Sequence, residues 1–475
     1  MAGPVQKLNK NKRASWLIIA AAVFFVSLNF SPALADEKTG TVFTLKESVA
    51  LVLEKSLRLD SAVRSIEGAI WGEKKAYARL FPQVSTTYSY TRLDEAPTSP
   101  ASQSSFIMNL PPALGGPTTA TISIPERQVG SEDNWQLKLT VTQPIFTGFA
   151  LSSAYELARL GVDIAKVSEV QVKLDLILQV KKGYFAILQA QKVAEVTAQA
   201  VKRWEAQLNV AQNFYEVGMS PKSNVLQAEV ALAEAVQASI RTENAILLAK
   251  ASFNSLLRRS LEAPLEVEDI LEYKPFPLDY EKCLKQALET RPEIKAVRDQ
   301  IKINEERVTL AKAEFYPNII LQANHTWRGD TWAVTGSPFI NDHRSWDVTA
   351  ILTLNVWDWG QTSNDVKASR TEVVRSRNNL TQIIDGIMLE VKSNYLSLKE
   401  AEKAITVASK AIEHAEENYR MSQERFREQV ATSTEVLDAV TQLTSTRSTY
   451  YNALAKYNIA WATLERAMGL GRDEI

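Results

Sequence analysis

The sequence predicts a mostly α-helical, internally duplicated chain with a β-barrel portion, and a barrel shared between several chains. Three observations predict this. The seventeen prolines are unevenly placed, with none between Ile145 and Ser220 and none after Pro338, so the helices are unusually long. The chain repeats itself. Each repeat also carries strands that alternate residue by residue, too few to close a barrel alone.

The elements follow in order. Residues 1–35 read as a secretory signal peptide. Lys7, Lys10, Lys12 and Arg13 precede an apolar run from Trp16 to Leu28, and Ala33-Leu34-Ala35 forms a small-x-small cleavage site. An uncleaved anchor is the alternative, but the run is shorter than the ~20 residues of a spanning helix. Charges balance at 54 Lys+Arg against 55 Asp+Glu, which gives no field directed at nucleic acid. Cys283 is the single cysteine, so an intramolecular disulfide or CxxC site is excluded. His325, His343 and His414 form no ligand cluster. No cofactor and no metal are expected.

Leu45 to Thr91 aligns with Tyr280 to Thr326 at an offset of 235, and Trp135 to Ala228 aligns with Trp346 to Ala439 at an offset of 211. The division is therefore a signal peptide (1–35), a first repeat (36–258), an equatorial linker (259–278) and a second repeat (279–475). Each repeat opens with a predicted helix of about 35 residues, Leu45–Leu80 and Tyr280–Phe315, ended by Pro82 and Pro317. Alternating strands follow, such as Val84 to Tyr90 and Trp135 to Val141. Leu93–Asn134, with six prolines, reads as a long exposed loop. Gly148 and Gly360 then open helices of ~65–70 residues, roughly 100 Å long. A turn and a return helix of about 35 residues complete each repeat (Lys222–Leu257 and Ser433–Met468). In the last helix, Val436, Val440, Leu443, Arg447, Tyr450, Leu454, Tyr457, Trp461, Leu464 and Met468 form a heptad seam. In the first repeat, Glu229 and Glu243 fall on the matching seam, so packing there is broader or wetter.

Strands of about ten residues suit a tilted bilayer crossing. Trp135, Trp327, Trp346 and Trp357 are the expected membrane-interface aromatics, with Trp332 and Trp359 nearby. A soluble sandwich is the alternative. Against it, Lys138, Thr140, Gln322 and Asn324 would line something wet. Four strands leave open edges, and each unpaired backbone group in lipid costs several kcal/mol, so several chains must share one barrel.

The order helix–strand–strand–long helix–turn–helix, given twice after a signal peptide, resembles the TolC family of outer-membrane efflux and secretion ducts. Pro144-Ile145-Phe146-Thr147-Gly148 is similar to the family's entry to the long helix. Phe214-Tyr215-Glu216-Val217-Gly218-Met219-Ser220 resembles its hairpin tip, and Leu288 to Ile294 its Leu-x-x-x-Pro-x-Leu start. The resemblance implies a homotrimer with a shared barrel of roughly twelve strands and a long coiled-coil tunnel in the periplasm. It implies a passive outer-membrane channel in a Gram-negative-type cell, exporting small molecules or proteins. Its implied partners are a periplasmic adaptor (membrane fusion) protein, an inner-membrane transporter and outer-membrane lipid, with no nucleic acid.

The resemblance places adaptor docking at Val217, Gly218, Met219, Ser220, Val430, Ala431 and Thr432. The alternative is that these residues only reverse the chain, with Gly218 ending the helix and Ser220 and Pro221 starting the next. Thr434-Glu435-Val436-Leu437-Asp438-Ala439 resembles the family's Val-Asp-Val-Leu-Asp-Ala, which makes Glu435 and Asp438 aperture rings. Thr432 and Glu435 also have capping-box spacing, so Glu435 reads equally as a helix cap. The second tip departs from the family by lacking glycine, and Asn224 stands where an aspartate of the closing network can occur. A periplasm-spanning coiled-coil tether would explain the helices but not the alternating strands. No enzyme is expected: Cys283 reads as packing and His414 as a solvated face.

Overall fold

A computed structural model describes residues 42–340 and 342–471. The signal peptide expected over 1–35 lies outside the described residues. The first half of the chain runs β1 (Val42–Phe43), α1 (Leu45–Lys55), α2 (Leu57–Ala78), β2 (Gln83–Arg92), β3 (Thr98–Ser99), β4 (Ser102–Met108), β5 (Thr118–Ile124), β6 (Arg127–Gln128), β7 (Asp133–Thr147), α3 (Ala150–Glu216) and α4 (Lys222–Leu256). The second runs β8 (Glu266–Val267), α5 (Tyr280–Thr290), α6 (Pro292–Lys312), β9 (Asn318–Gly329), β10 (Arg344–Thr353), α7 (Gln361–Arg427) and α8 (Ser433–Ala467).

Each opening helix, predicted as one, is two. Ser56 and Arg291 are equivalent at the offset of 235, and both take extended backbone, with ψ of 118° and 124°. Pro292 explains the second break, because its ring pushes the preceding residue out of the helical region. The first break has no proline. There the Ser56 hydroxyl accepts from the Leu59 amide at 3.4 Å and starts a new helix.

The predicted exposed loop also has structure of its own: β4 pairs with β5 and β3 with β6, forming a ribbon. Its Thr and Ile content favours strands, and the prolines fall at its bends. The strand read as Trp135 to Val141 extends to Thr147 through a bulge between Pro144 and Phe146, which accommodates a residue with no amide to donate.

The long helices have the predicted length, 67 residues each, and the return helices have 35. Both repeats turn from sheet to helix through two left-handed residues, Gly148-Phe149 and Trp359-Gly360. At Gly148 an added Cβ would stand 2.4 Å from the Ala313 carbonyl oxygen, so only glycine fits.

β10, β9, β7 and β2 form, in that order, one antiparallel sheet. The helices pack as a wall in the order α4, α3, α8, α7, so the first repeat supplies one edge and the second the other. α2 and α6 cover the half of α3 nearer the sheet. The main core sits at the waist, where Val52, Tyr184, Phe253, Leu398, Tyr457 and Leu464 are fully or almost fully buried. Cys283 lies buried in the same core, and burial pushes its thiol pKa up. The linker joins this waist. β8 pairs in parallel with β1, and the Tyr184 hydroxyl reaches the carbonyls of Phe43 (3.0 Å) and Glu268 (2.9 Å).

The heptad seam of α8 is buried or half-buried throughout, and Arg447 on it bonds Glu416 of α7 and Gln199 of α3. On α4 the matching line is buried only at its ends, at Val225 and Phe253, while Glu229 and Glu243 are exposed. A second heptad line runs one position on: Leu226, Val230, Ala233, Gln237, Ile240, Asn244 and Leu247. Every member of it is exposed.

Candidate functional site: a two-faced sheet and two hairpin tips

The register sorts the sheet by face. Residues opposite each other in antiparallel strands share a face. Val84, Tyr88 and Tyr90 of β2 lie opposite Val141, Leu137 and Trp135 of β7. Leu137, Leu139 and Val141 lie opposite Trp327, His325 and Ala323 of β9, and Trp346, Val348 and Leu352 of β10 complete this face. The other face is polar in every strand: Ser85 and Thr87, then Lys138 and Thr140, Gln322 and Asn324, and Asp347 and Thr349.

A row of hydrogen bonds crosses the polar face. The Thr140 hydroxyl donates to Asn324 Oδ1 at 3.0 Å, and Asn324 Nδ2 donates to Asp347 Oδ2 at 2.8 Å. Gln322 Nε2 also donates to Asn324 Oδ1, at 3.2 Å. Lys138, Thr140, Gln322 and Asn324 thus share one side, as the alternation predicted. The bond from Asn324 to Asp347 was not legible, because strand register depends on partners far apart in sequence.

The aromatics fall in two bands. Trp135, packed on Tyr90 at 4.4 Å, stands with Trp327 and Trp346 at the ribbon end of the sheet. Phe146, Phe149 and Tyr316 cluster edge to face at the helix end. Trp357 lies beyond the end of β10, against Trp359 at 5.6 Å. Ten register steps of ~3.4 Å between Trp135 and Phe146, allowing for the bulge and tilted by ~45°, give a band about 24 Å tall, close to the apolar height of a membrane barrel.

The two hairpin tips lie side by side. Phe214 and Phe426 pack at 5.4 Å, and Gln429 Nε2 donates to Met219 Sδ at 3.6 Å. Val217, Met219 and Val430 are exposed, at 66%, 58% and 68%. Gly218 takes φ 77°, and the Met219 amide reaches back to the Phe214 carbonyl at 2.8 Å, the geometry that ends a helix with glycine. At the second tip the equivalent residue is Gln429, with φ 62°. Its amide and that of Val430 make the same closing bonds, to the carbonyls of Phe426 and Arg425.

One expectation here is corrected. Ser220 does not cap the return helix. Pro221 holds the cap position, and Ser220, one residue too early, accepts instead from Asn224 Nδ2 at 2.8 Å. At the second tip Ala431 is half-buried and Thr432 is the cap.

Glu435 completes a capping box. Its carboxylate accepts from the Thr432 amide at 3.1 Å and hydroxyl at 3.2 Å, while the Thr432 oxygen accepts from the Glu435 amide at 3.3 Å. Those bonds, with Arg425 at 3.7 Å, hold the carboxyl below its ordinary range. Asp438, one turn on, is exposed. It lines a cleft of about 380 Å³ between the two hairpins, with Trp204, Glu234, Leu437 and Thr441. Among the described residues no helix is long and apolar enough to cross a membrane, and no group of side chains is arranged to hold a metal ion.

Known proteins share this design. The chain is 21% identical over 306 residues to the toluene efflux pump outer membrane protein TtgC of Pseudomonas putida. That match takes in 63% of this chain and 61% of TtgC, so less than two thirds of the relative's length is spanned. The fold is similar to that of the CusC channel, with a TM-score of 0.73 and 16% identity over 90% of this chain and 92% of that one. It is also similar to the outer membrane protein VceC of Vibrio cholerae, with a TM-score of 0.71 and 16% identity over 90% and 96% of the two chains. The family of outer membrane efflux proteins matches residues 51–257 and 283–470, well over half of the chain. This chain belongs to the outer membrane efflux protein family, the TolC-type group that its sequence resembles.

Proposed function

We propose that this chain is one copy of a homotrimeric outer-membrane duct, through which small molecules or proteins leave the cell. The outer membrane is its location. The observation that carries the proposal is the sheet. One face is apolar between two aromatic bands, the other is polar and hydrogen-bonded, and among the described residues β2 and β10 are edges without a second partner. Lipid outside and water inside explain both faces. A tether explains neither, since it has no use for a hydrated sheet face.

Edge strands unpaired in lipid are costly, and the cost disappears if β2 of one copy pairs with β10 of the next. The helices obey the same geometry. α4 stands on the β2 side of the wall and carries an exposed heptad line, while α7 stands on the β10 side. Three copies closing both edges give a shared barrel continued by a helical tunnel.

In this reading the repeats 36–258 and 279–475 are the two halves of each copy, 259–278 is an equatorial linker, and 1–35 is a removed signal peptide. The exposed Val217, Met219 and Val430 dock a periplasmic adaptor, which joins an inner-membrane transporter. The energy for export comes from that transporter, and this chain has no catalytic role. Glu435 and Asp438 ring the tip-side aperture.

Single-channel recording in planar bilayers tests the reading. Stable conductance steps are expected. Glu435→Gln keeps the capping box, which glutamine also completes, so with Asp438→Asn it removes charge without removing the cap. The double variant should conduct with weaker cation preference and with less block by multivalent cations from the tip side. Silent bilayers from folded protein would sink the duct. Unchanged selectivity and block would remove these carboxylates from the aperture.

A further inference from the structure

The ribbon between β2 and β7 has a chemistry unlike the rest of the chain. From Ala96 to Pro125 there is no Asp, Glu, Lys, Arg or His, in a protein whose residues are 23% charged. Its paired strands, β4 and β5, are amphipathic. Ser102 lies opposite Ile124, Ser104 opposite Ile122, Phe106 opposite Ala120 and Met108 opposite Thr118, so Phe106, Met108, Ala120, Ile122 and Ile124 share one face. The opposite face is Gln103, Ser105, Thr119, Thr121 and Ser123 around Ile107, with the Ser105 and Thr121 hydroxyls bonded at 3.2 Å. Phe106 and Met108 are 45% and 42% exposed, and Ile122 and Ile124 about half. An isolated two-stranded hairpin is marginal in water unless a third layer covers its apolar face.

Three facts say what covers it. The ribbon leaves the sheet at Arg92 and re-enters at Asp133, the end opposite the helices, so it stands over the mouth of the barrel. One of its two roots is β2, the edge strand at which the next copy joins. Its paired strands β4 and β5 also carry no Lys or Arg, which a segment lying on an anionic lipid surface uses for attraction; the one basic residue of the ribbon, Arg127, sits in β6 near its root. A neutral surface instead allows identical copies to meet without like-charge repulsion.

We propose that the apolar faces of the ribbons from neighbouring copies pack on one another, forming an uncharged collar over the outer mouth of the duct. This inference rests on the trimer reading above, and the β4–β5 collar narrows the exit with uncharged side chains.

The test uses the full-length chain in outer membranes, with Cys283→Ser to remove the buried thiol. Under mild oxidation, Ile122→Cys should convert most of the protein to disulfide-linked dimers, since three cysteines around one axis pair two at a time. Ile124→Cys serves as a second probe of the same face should the first variant fold poorly. Thr121→Cys, on the opposite face, should not exceed background. Native mass spectrometry of each variant separates the two readings. Three chains without dimers at Ile122 and Ile124 would overturn the collar and leave the trimer standing, whereas single chains would overturn the trimer itself. A fluorophore on Ile122→Cys quenched by nitroxide-labelled lipid would overturn the collar in favour of membrane contact.

Discussion

Arg466 holds three parts of the molecule together. Its guanidinium bonds Asp175 of α3 at 2.7 Å and Glu293 of α6 at 2.8 Å. Arg291, almost fully buried at the break between α5 and α6, bonds Glu293 at 3.3 Å and Glu390 of α7 at 2.5 Å. Burial alone would raise the Glu293 pKa, but the hydrogen bond from Arg466 and the charge of Arg291 bring it below its ordinary value. A carboxylate depressed in the folded state adds stability that is complete above its unfolded pKa. That stability is lost as pH falls through the folded value. Glu293→Gln should therefore melt lower than the parent at neutral pH, and the gap should close on acidification below the ordinary carboxylate range. A gap that persists in acid would show that packing, not ionisation, is at stake. Arg466→Met should cost about 3 kcal/mol, because two carboxylates lose a shared partner. At the first tip, Gly218→Ala should cost about 1 kcal/mol by forcing a side chain into the left-handed region. Thermal melting of the solubilised protein, with amide exchange near residue 218, reads both. Gln429 in the same conformation was not legible, since glutamine carries no signal for it.

At the scale of elements, α4 is the most informative helix. Its length and ends follow from the sequence: Gly218 and Pro221 precede it, and the next proline is Pro264. Its buried line does not, because the offset alignment with α8 selects the line carrying Glu229 and Glu243. In the structure those glutamates face out, and the parallel line from Leu226 to Leu247 is apolar at five of its seven positions, yet uncovered within the chain. Ile240→Asp with Leu247→Asp should leave helical content unchanged, because neither side chain packs inside one copy, but should dissociate the oligomer. Circular dichroism together with native mass spectrometry checks this. An intact oligomer would mean that α4 faces water. The ribbon gives the opposite lesson. Six prolines and the adjacent Gly115 and Gly116 read as loop, but cross-strand pairing between residues such as Phe106 and Ala120 outweighed that signal.

For the whole molecule, closure is the central question. Paired cysteines scanned along β2 and β10 in a Cys283→Ser background should cross-link between copies best at every second position, because close non-hydrogen-bonded pairs alternate with wider hydrogen-bonded ones in an antiparallel ladder. Covalent products should end at three copies. A ladder that continues past three would indicate open edge-to-edge association instead.

Much of this design was legible from the chain alone. The duplication, the two 67-residue helices, the return helices and the two-faced strands all follow from local rules. Proline spacing bounds a helix, and a period of two separates the faces of a strand, without reference to anything distant. Tertiary structure decided the rest. It set Asn324 beside Asp347, seated β8 on β1 under Tyr184, and left the apolar line of α4 outside the core. These outcomes depend on which segments meet, from 23 positions apart for Asn324 and Asp347 to 84 for Tyr184 and Glu268, and periodicity within one segment carries no information about its partner.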